Sequence, residues 1–322
     1  MTDHEAVQPE RALRRACTFL GAALLVGLFA GAGALQAQDN PDGLYIDVKN
    51  SVQFSQTALS NWAPGGESSL ALNGDVLAEV RQRRGRFGSQ LTTRWLVGLF
   101  KTEDVPVRKS HDHLSIAGVS GYHLQDNITV GALANLTTQI APSYIFDEDV
   151  VQTLGGNPDD RIKTGNLLSP GYLELGLGFQ YLWPQPMVGL IVAPIMLKQT
   201  IIMDEDIREL DGALPSGLYG NEGKAVRSEL GAHLKLVFQA PLMKNVTVSG
   251  QGTLFADYAD PDIDAMGLLN IGGKINEHLS ASINTTFVFN SDIDTDLAKP
   301  GKQEKLQVRE VLGVKLVYAF SL

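Results

Sequence analysis

From about residue 47 to the C-terminus, apolar and polar side chains alternate with a period of two. The clearest stretch is 172–183. Leu173, Leu175, Leu177, Phe179, Tyr181 and Trp183 share one face, and Tyr172, Glu174, Gly176, Gly178 and Gln180 share the other. Over 226–239, Val226, Leu230, Ala232, Leu234, Leu236 and Phe238 are set against Arg227, Glu229, Gly231, His233, Lys235 and Gln239. The same split recurs in 128–140, 279–290 and 306–320. Successive side chains of a strand point to opposite faces, so each segment predicts a strand with one apolar face and one polar or small face.

A soluble β-sandwich alternates too, and the connections separate the two cases. The pattern predicts strands near 47–60, 67–82, 87–100, 112–124, 127–140, 171–183, 187–201, 225–240, 245–258, 264–275, 278–290 and 305–321. The links 83–86, 125–126, 184–186, 241–244 and 276–277 are short, and they alternate with the longer links 61–66, 101–111, 141–170, 202–224, 259–263 and 291–304. Strands this long exceed the roughly 5 or 6 residues usual in soluble sheets. Tight turns at one end, long loops at the other and an even count predict an all-β fold, a closed antiparallel transmembrane β-barrel of about twelve strands. Closure satisfies every edge donor, as lipid demands. Tyr122, Tyr181, Trp183, Phe238, Tyr318 and Phe320 fall near the short-turn, periplasmic ends, where an interfacial girdle belongs. The last strand, ending on Tyr318 and Phe320, has the alternating aromatic form of a signal read by the barrel-assembly machinery, although Ser321 and Leu322 follow.

The N-terminus breaks the pattern. Arg11, Arg14 and Arg15 precede an apolar run from Ala16 to about Leu35, closed by Leu35-Gln36-Ala37 before Gln38. This predicts a secretory signal peptide over 1–37, a short periplasmic segment over 38–46 and the barrel over 47–322. The run is also long enough to stay as an uncleaved anchor. Cys17, the only cysteine, lies within it, so the rest of the chain has no thiol for a disulfide.

Composition fits this division. A mean hydropathy of -0.01 excludes a helical protein of many spans but not a barrel, in which alternate residues meet lipid. The net charge is -10, and residues 1–37 hold three acids and three bases, so the acidity belongs to the remainder. That acidity argues against nucleic acid as a partner, because binding its phosphates needs a basic face. Outer-membrane lipids, the assembly machinery and small solutes are the expected partners.

The stretch Phe54-Ser55-Gln56-Thr57-Ala58-Leu59-Ser60-Asn61-Trp62, followed by Gly65-Gly66-Glu67, resembles the signature of a family of uncharacterised outer-membrane β-barrel proteins, a domain of unknown function. Lys101-Thr102, Arg108-Lys109, Gln139-Ile140-Ala141-Pro142-Ser143-Tyr144 and Leu167-Leu168-Ser169-Pro170-Gly171-Tyr172-Leu173 extend the likeness over most of the chain. The resemblance implies a fold and a location and carries no activity. Physically, Asn61-Trp62 and Gly65-Gly66 suit an outer hairpin, with Trp62 at the barrel mouth.

The polar face carries charge. Asp75, Glu79, Arg81, Arg94, Glu174, Arg227, Glu229, His233, Lys235, Lys274, Arg309 and Lys315 are the candidate lumen-lining residues. Either they pair and fill the interior, or they line a solute path whose selectivity they set. The later strands are richer in Lys and Arg, which favours an anionic solute. No G-x-S-x-G elbow occurs, so a hydrolase is the weaker reading. His111 and His113 share a strand face at the end of an outer loop, without a third metal ligand in view. Asp292, Asp294 and Asp296 alternate as carboxylates round a Ca²⁺ ion do, but Leu297 and Gln303 stand where an EF-hand needs Gly and Glu. No cofactor is expected.

Overall fold

The computed structural model describes residues 42–57, 69–102, 107–145, 151, 161–184, 187–214, 217–259, 263–276, 279–289 and 306–321. The expected signal peptide and cleavage site, the expected hairpin at Trp62, and Asp292, Asp294 and Asp296 lie outside the described residues.

Twelve long strands form one closed antiparallel barrel. They are β1 (Gly43–Thr57), β2 (Ser69–Arg84), β3 (Phe87–Thr102), β4 (Arg108–Gln125), β5 (Ile128–Thr138), β8 (Gly171–Pro184), β9 (Met187–Ile201), β10 (Val226–Met243), β11 (Val246–Asp257), β12 (Ile263–Lys274), β13 (Leu279–Phe289) and β14 (Gln307–Ser321). Each pairs with its neighbour along the chain, and β1 closes the ring on β14, with Val48 opposite Phe320 and Asn50 opposite Tyr318. The short hairpin of β6 (Ser143–Ile145) and β7 (Ile162–Gly165) stays out of the wall, so β5 pairs directly with β8.

The alternation sorts the side chains into two environments. Leu44, Val52, Phe54, Leu72, Leu91, Leu177, Phe179, Leu230 and Leu254 are exposed on the outer face. Gln90, Thr92, Ser115, Thr137, His233, Lys235, Gln251 and Thr253 are buried within. In water this arrangement is unfavourable, because exposed apolar area costs about 25 cal/mol per Å². Lipid removes that cost. The shortest wall strand has 11 residues and the longest 18, enough for a tilted membrane crossing, which needs about 9–11. Among the described residues no helix is long and apolar enough to cross a membrane.

Three local features depart from the alternation. β1 begins at Gly43 rather than near residue 47, and β4 begins at Arg108, so His111 and His113 lie within a strand and not at a loop end. Pro194 sits at a bulge where the register of β9 slips against both neighbours. Proline has no N–H for the ladder, and the bulge absorbs it. The links 141–170 and 202–224, read as loops, contain β6, β7 and the helix α1 (Glu205–Ala213). Asp204 caps α1 by accepting from Ile207 N, and Glu205 and Asp206 fill its first turn, a favourable charge for a helix N-terminus.

At the loop end, Ile202, Ile207, Leu218 and Tyr219 form a small core with Tyr172, Leu210 and Leu214. Asp211, fully buried, accepts from Tyr219 N and Gly223 N. The Asn221 amide donates to Thr200 O at 2.9 Å. Because Tyr172 and Thr200 lie opposite each other on the inner side of β8 and β9, this cap packs just inside the mouth. At the other end, Phe87, Tyr122 and Trp183 are exposed on the outer face, and the Tyr181 and Trp183 rings lie 4.1 Å apart.

Candidate functional site: the barrel interior

Cross-strand neighbours share a face, so inward residues meet along the ladders and also across the lumen. On the β1–β3 wall, Arg94 holds Asp75 with two bonds, Nε to Oδ1 at 3.0 Å and an Nη to Oδ2 at 2.7 Å. Arg81 pairs with Asp47 on β1. Glu79 sits opposite Asp47 and Thr92.

The opposite wall holds a larger network. Lys198 on β9 reaches Glu229 on β10 at 3.3 Å and Asp264 on β12 at 2.6 Å. The second contact passes over two intervening strands, so it crosses part of the interior. Arg227 also binds Glu229, at 3.1 Å. Glu174, opposite Lys198 in the ladder, accepts from Asn135 at 3.0 Å. The Lys198 ammonium stands 5.0 Å from the centre of the Phe255 ring, an added attraction for a cation.

Below this ionic layer lies an apolar one. Ala193, Met196 and Phe255 cluster with Leu133, joining β9, β11 and β5. Met266, Leu268 and Val288 form a second patch on β12 and β13. The bulge at Pro194 makes this possible, since it brings both Ala193 and Met196 to the inner face. Gly176 leaves the space, because a Cβ there would meet Met196 Cε and Sδ at 3.1 Å and Leu133 Cγ at 3.2 Å. Side chains from separated strands therefore meet at one level and narrow the interior there.

The residues expected to line the lumen distribute unevenly. Asp75, Arg81 and Arg94 belong to the first wall, and Glu174, Arg227 and Glu229 to the second network. His233 and Lys235 are buried on β10, opposite Phe255 and Thr253. Lys274 stays apart, exposed at the turn end of β12. The backbone sets Arg309 opposite Thr286 and Lys315 opposite Ser280. His111 and His113 lie on β4 opposite Gly98 and Leu96, and among the described residues no group of three metal-ligating side chains forms. The bias toward free cations is reduced by pairing, since Arg81, Arg94, Lys198 and Arg227 each meet a carboxylate. Sequence reading missed Asp47, Lys198, Asp264 and Phe255. Lys198 is the lone charge in an apolar strand whose parity Pro194 shifts, and Asp264 is the second residue of β12, right at its loop end. Only their juxtaposition reveals them.

The cap is held by charge. Lys163 on β7 pairs with Asp204 at 2.9 Å and Asp206 at 2.7 Å. These two hydrogen bonds raise the Lys163 pKa above its ordinary value. Burial pushes Asp204 up, but bonds from Lys163, Asn166 and Ile207 N outweigh it and hold the carboxyl below its ordinary value.

Fold and interior together define a class: a twelve-stranded antiparallel barrel, apolar outside and ionic within, narrowed by contacts across its lumen. Residues 54–144 match the model of a family described as "Protein of unknown function (DUF3078)". That span includes the Phe54–Glu67 stretch and the Gln139–Tyr144 stretch. No curated protein matches the chain significantly. Among solved structures, it is similar to the translocator domain of the autotransporter NalP from Neisseria meningitidis, with 10% identity, 87% of this chain and 90% of that chain covered and a TM-score of 0.39. It is similar to the COG4313 outer membrane channel from Pseudomonas putida F1, with 12% identity, 88% and 98% covered and a TM-score of 0.39. An anion-selective porin from Comamonas acidovorans gives 10% identity, 86% and 99% covered and a TM-score of 0.31. Similarity at this level assigns no activity.

Proposed function

We propose that the chain is an integral outer-membrane β-barrel providing a narrow path for small solutes, with its short turns toward the periplasm and its α1 cap outside. The observation that carries this reading is the inversion of polarity: exposed leucines and aromatics outside, half-buried ion pairs and buried hydroxyls inside. Such a wall is stable in lipid and keeps its hydrogen bonds internal. The Lys198–Asp264 bridge and the Phe255 cluster form the constriction, so the path suits solutes small enough to pass paired charges beside an aromatic ring. Outer-membrane lipids are its surroundings, and the assembly machinery inserts it, reading the strand that ends in Tyr318 and Phe320.

A second reading, a docking barrel with a plugged lumen and partner-binding loops, is favoured by the cap packed on Tyr172 and Thr200 inside the mouth. Single-channel recording in planar bilayers separates the two. A small ohmic current from the wild type, and a larger one from Lys198→Ala, is the expected result. No current from either protein at any voltage would overturn the solute path and leave the docking barrel.

A further inference from the structure

The outer wall is not uniformly convex. An open groove of about 670 Å³ runs over its face, within the roughly 300–1,000 Å³ range of small-molecule sites. Its floor includes Gly118 on β4 and Ala132 and Ala134 on β5, and its sides include Leu91 on β3, Leu177 on β8 and Ile195 on β9. The trough is the gap that small outward side chains leave between bulky ones. On this wall only hydrocarbon could fill it.

One end of the trough reaches Gln82 and Ser89, which face each other across β2 and β3. The next outward pair toward the turn is Arg84 and Phe87, and Gly85-Arg86 forms the turn itself. Arg84 and Arg86 are both exposed, and among the described residues neither pairs with a carboxylate. Asp42, which reaches this turn, accepts from Gly85 N at 2.8 Å instead. Phe87 and its ladder partner Tyr122 stand beside them, 49% and 47% exposed, at the level where aromatic rings mark the edge of the hydrocarbon.

A hydrocarbon trough running down to two unpaired guanidiniums is complementary to one kind of molecule. A neutral apolar partner would leave the arginines unmatched, and a soluble anion would leave the trough empty. An amphiphile with a phosphate head satisfies both, and the planar guanidinium is well suited to phosphate. We propose that the groove and the Arg84–Arg86 turn together bind one anionic glycerophospholipid, an acyl chain in the trough and the phosphate on the arginines. This rests on the membrane-barrel reading above, and with the short turns in the periplasm the lipid belongs to the inner leaflet.

The test uses the full-length protein in vesicles of phosphatidylcholine with and without phosphatidylglycerol, with lipid retention read by native mass spectrometry. The wild type should retain phosphatidylglycerol over phosphatidylcholine by about tenfold, the effect of roughly one charge-assisted contact. Arg84→Gln/Arg86→Gln should insert normally and lose that preference. Ala132→Leu/Ala134→Leu, which fills the trough from the lipid side, should retain less of either lipid. Equal retention of the two lipids by the wild type, or an unchanged preference in the arginine variant, overturns the site alone. Failure to insert into vesicles of any composition overturns the membrane reading and the site with it.

Discussion

At the scale of single residues, small side chains matter where strands crowd. Gly121, Gly131 and Gly178 form a row across β4, β5 and β8. A Cβ at Gly131 would stand 2.2 Å from Ser120 O and 2.7 Å from Gly121 Cα, both backbone atoms that cannot swing aside. Gly118, three residues from Gly121, has nothing within 4 Å of such a Cβ. Gly131→Ala should therefore lower unfolding stability by roughly 1–3 kcal/mol, and Gly118→Ala should be close to neutral. Urea titration of the detergent-folded protein compares them, and equal midpoints would contradict the close approach. Asp112 illustrates another residue-scale role, that of an anchor at the outer rim. Its carboxylate accepts from Lys109 Nζ at 3.1 Å, Trp95 Nε1 at 3.3 Å and Ile140 N at 3.0 Å. Asp112→Ala removes these together and should cost on the order of 2–4 kcal/mol, since each charged hydrogen bond contributes about 1.5–3 kcal/mol and part is recovered by water. The same titration measures it.

At the scale of elements, the cap is a separate structure whose helix α1 is tied to the β6–β7 hairpin by the Lys163–Asp204–Asp206 contacts. The raised pKa of Lys163 gives a contribution that is full below its ordinary value near ~10.4 and lost as pH rises through the higher folded value. The lowered pKa of Asp204 gives one that is present above the ordinary carboxylate value near ~3.9 and lost as pH falls through the lower folded value. Protection of α1 from hydrogen exchange should therefore be level from about pH 5 to 9 and fall in stronger acid. Lys163→Gln should loosen α1 at neutral pH by roughly 0.2–1 kcal/mol, because Asp206 is 77% exposed and screening is strong. An acid loss of protection that survives in Lys163→Gln unchanged would assign the pH dependence to other groups.

At the scale of the molecule, closure through β1 and β14 removes the sheet edges and makes unfolding cooperative. Refolded protein should migrate differently in SDS gels before and after boiling, and its far-UV circular dichroism should be dominated by β-structure. A helix-rich spectrum, or one band regardless of heating, would contradict a closed barrel. The interior network makes a further demand at this scale. Lys198 meets carboxylates on two other strands, so removing Asp264 loosens the tie between β9 and β12 across the interior and leaves Lys198 its contact with Glu229. Breaking a fully buried pair costs about 3–5 kcal/mol, so this half-buried one should cost less than that, and replacing both partners with apolar groups should cost less still.

The alternation along the chain determined the wall almost by itself. A period of two assigns each residue to lipid or lumen with no tertiary information, and short links between long runs dictate antiparallel neighbours. Leu173–Trp183 and Val226–Phe238 were legible for that reason. What the tertiary structure decided were contacts between strands distant in sequence, and elements too short to show a period. Nothing in the spacing of Lys198 and Asp264, or of Leu133 and Phe255, places them together; barrel closure and the Pro194 bulge do. The nine residues of α1 carry a cap and an acidic first turn, but their apolar positions find a core only once Tyr172 and Tyr219 fold against them. Periodicity specifies which face a side chain joins, and only closure specifies whom it meets there.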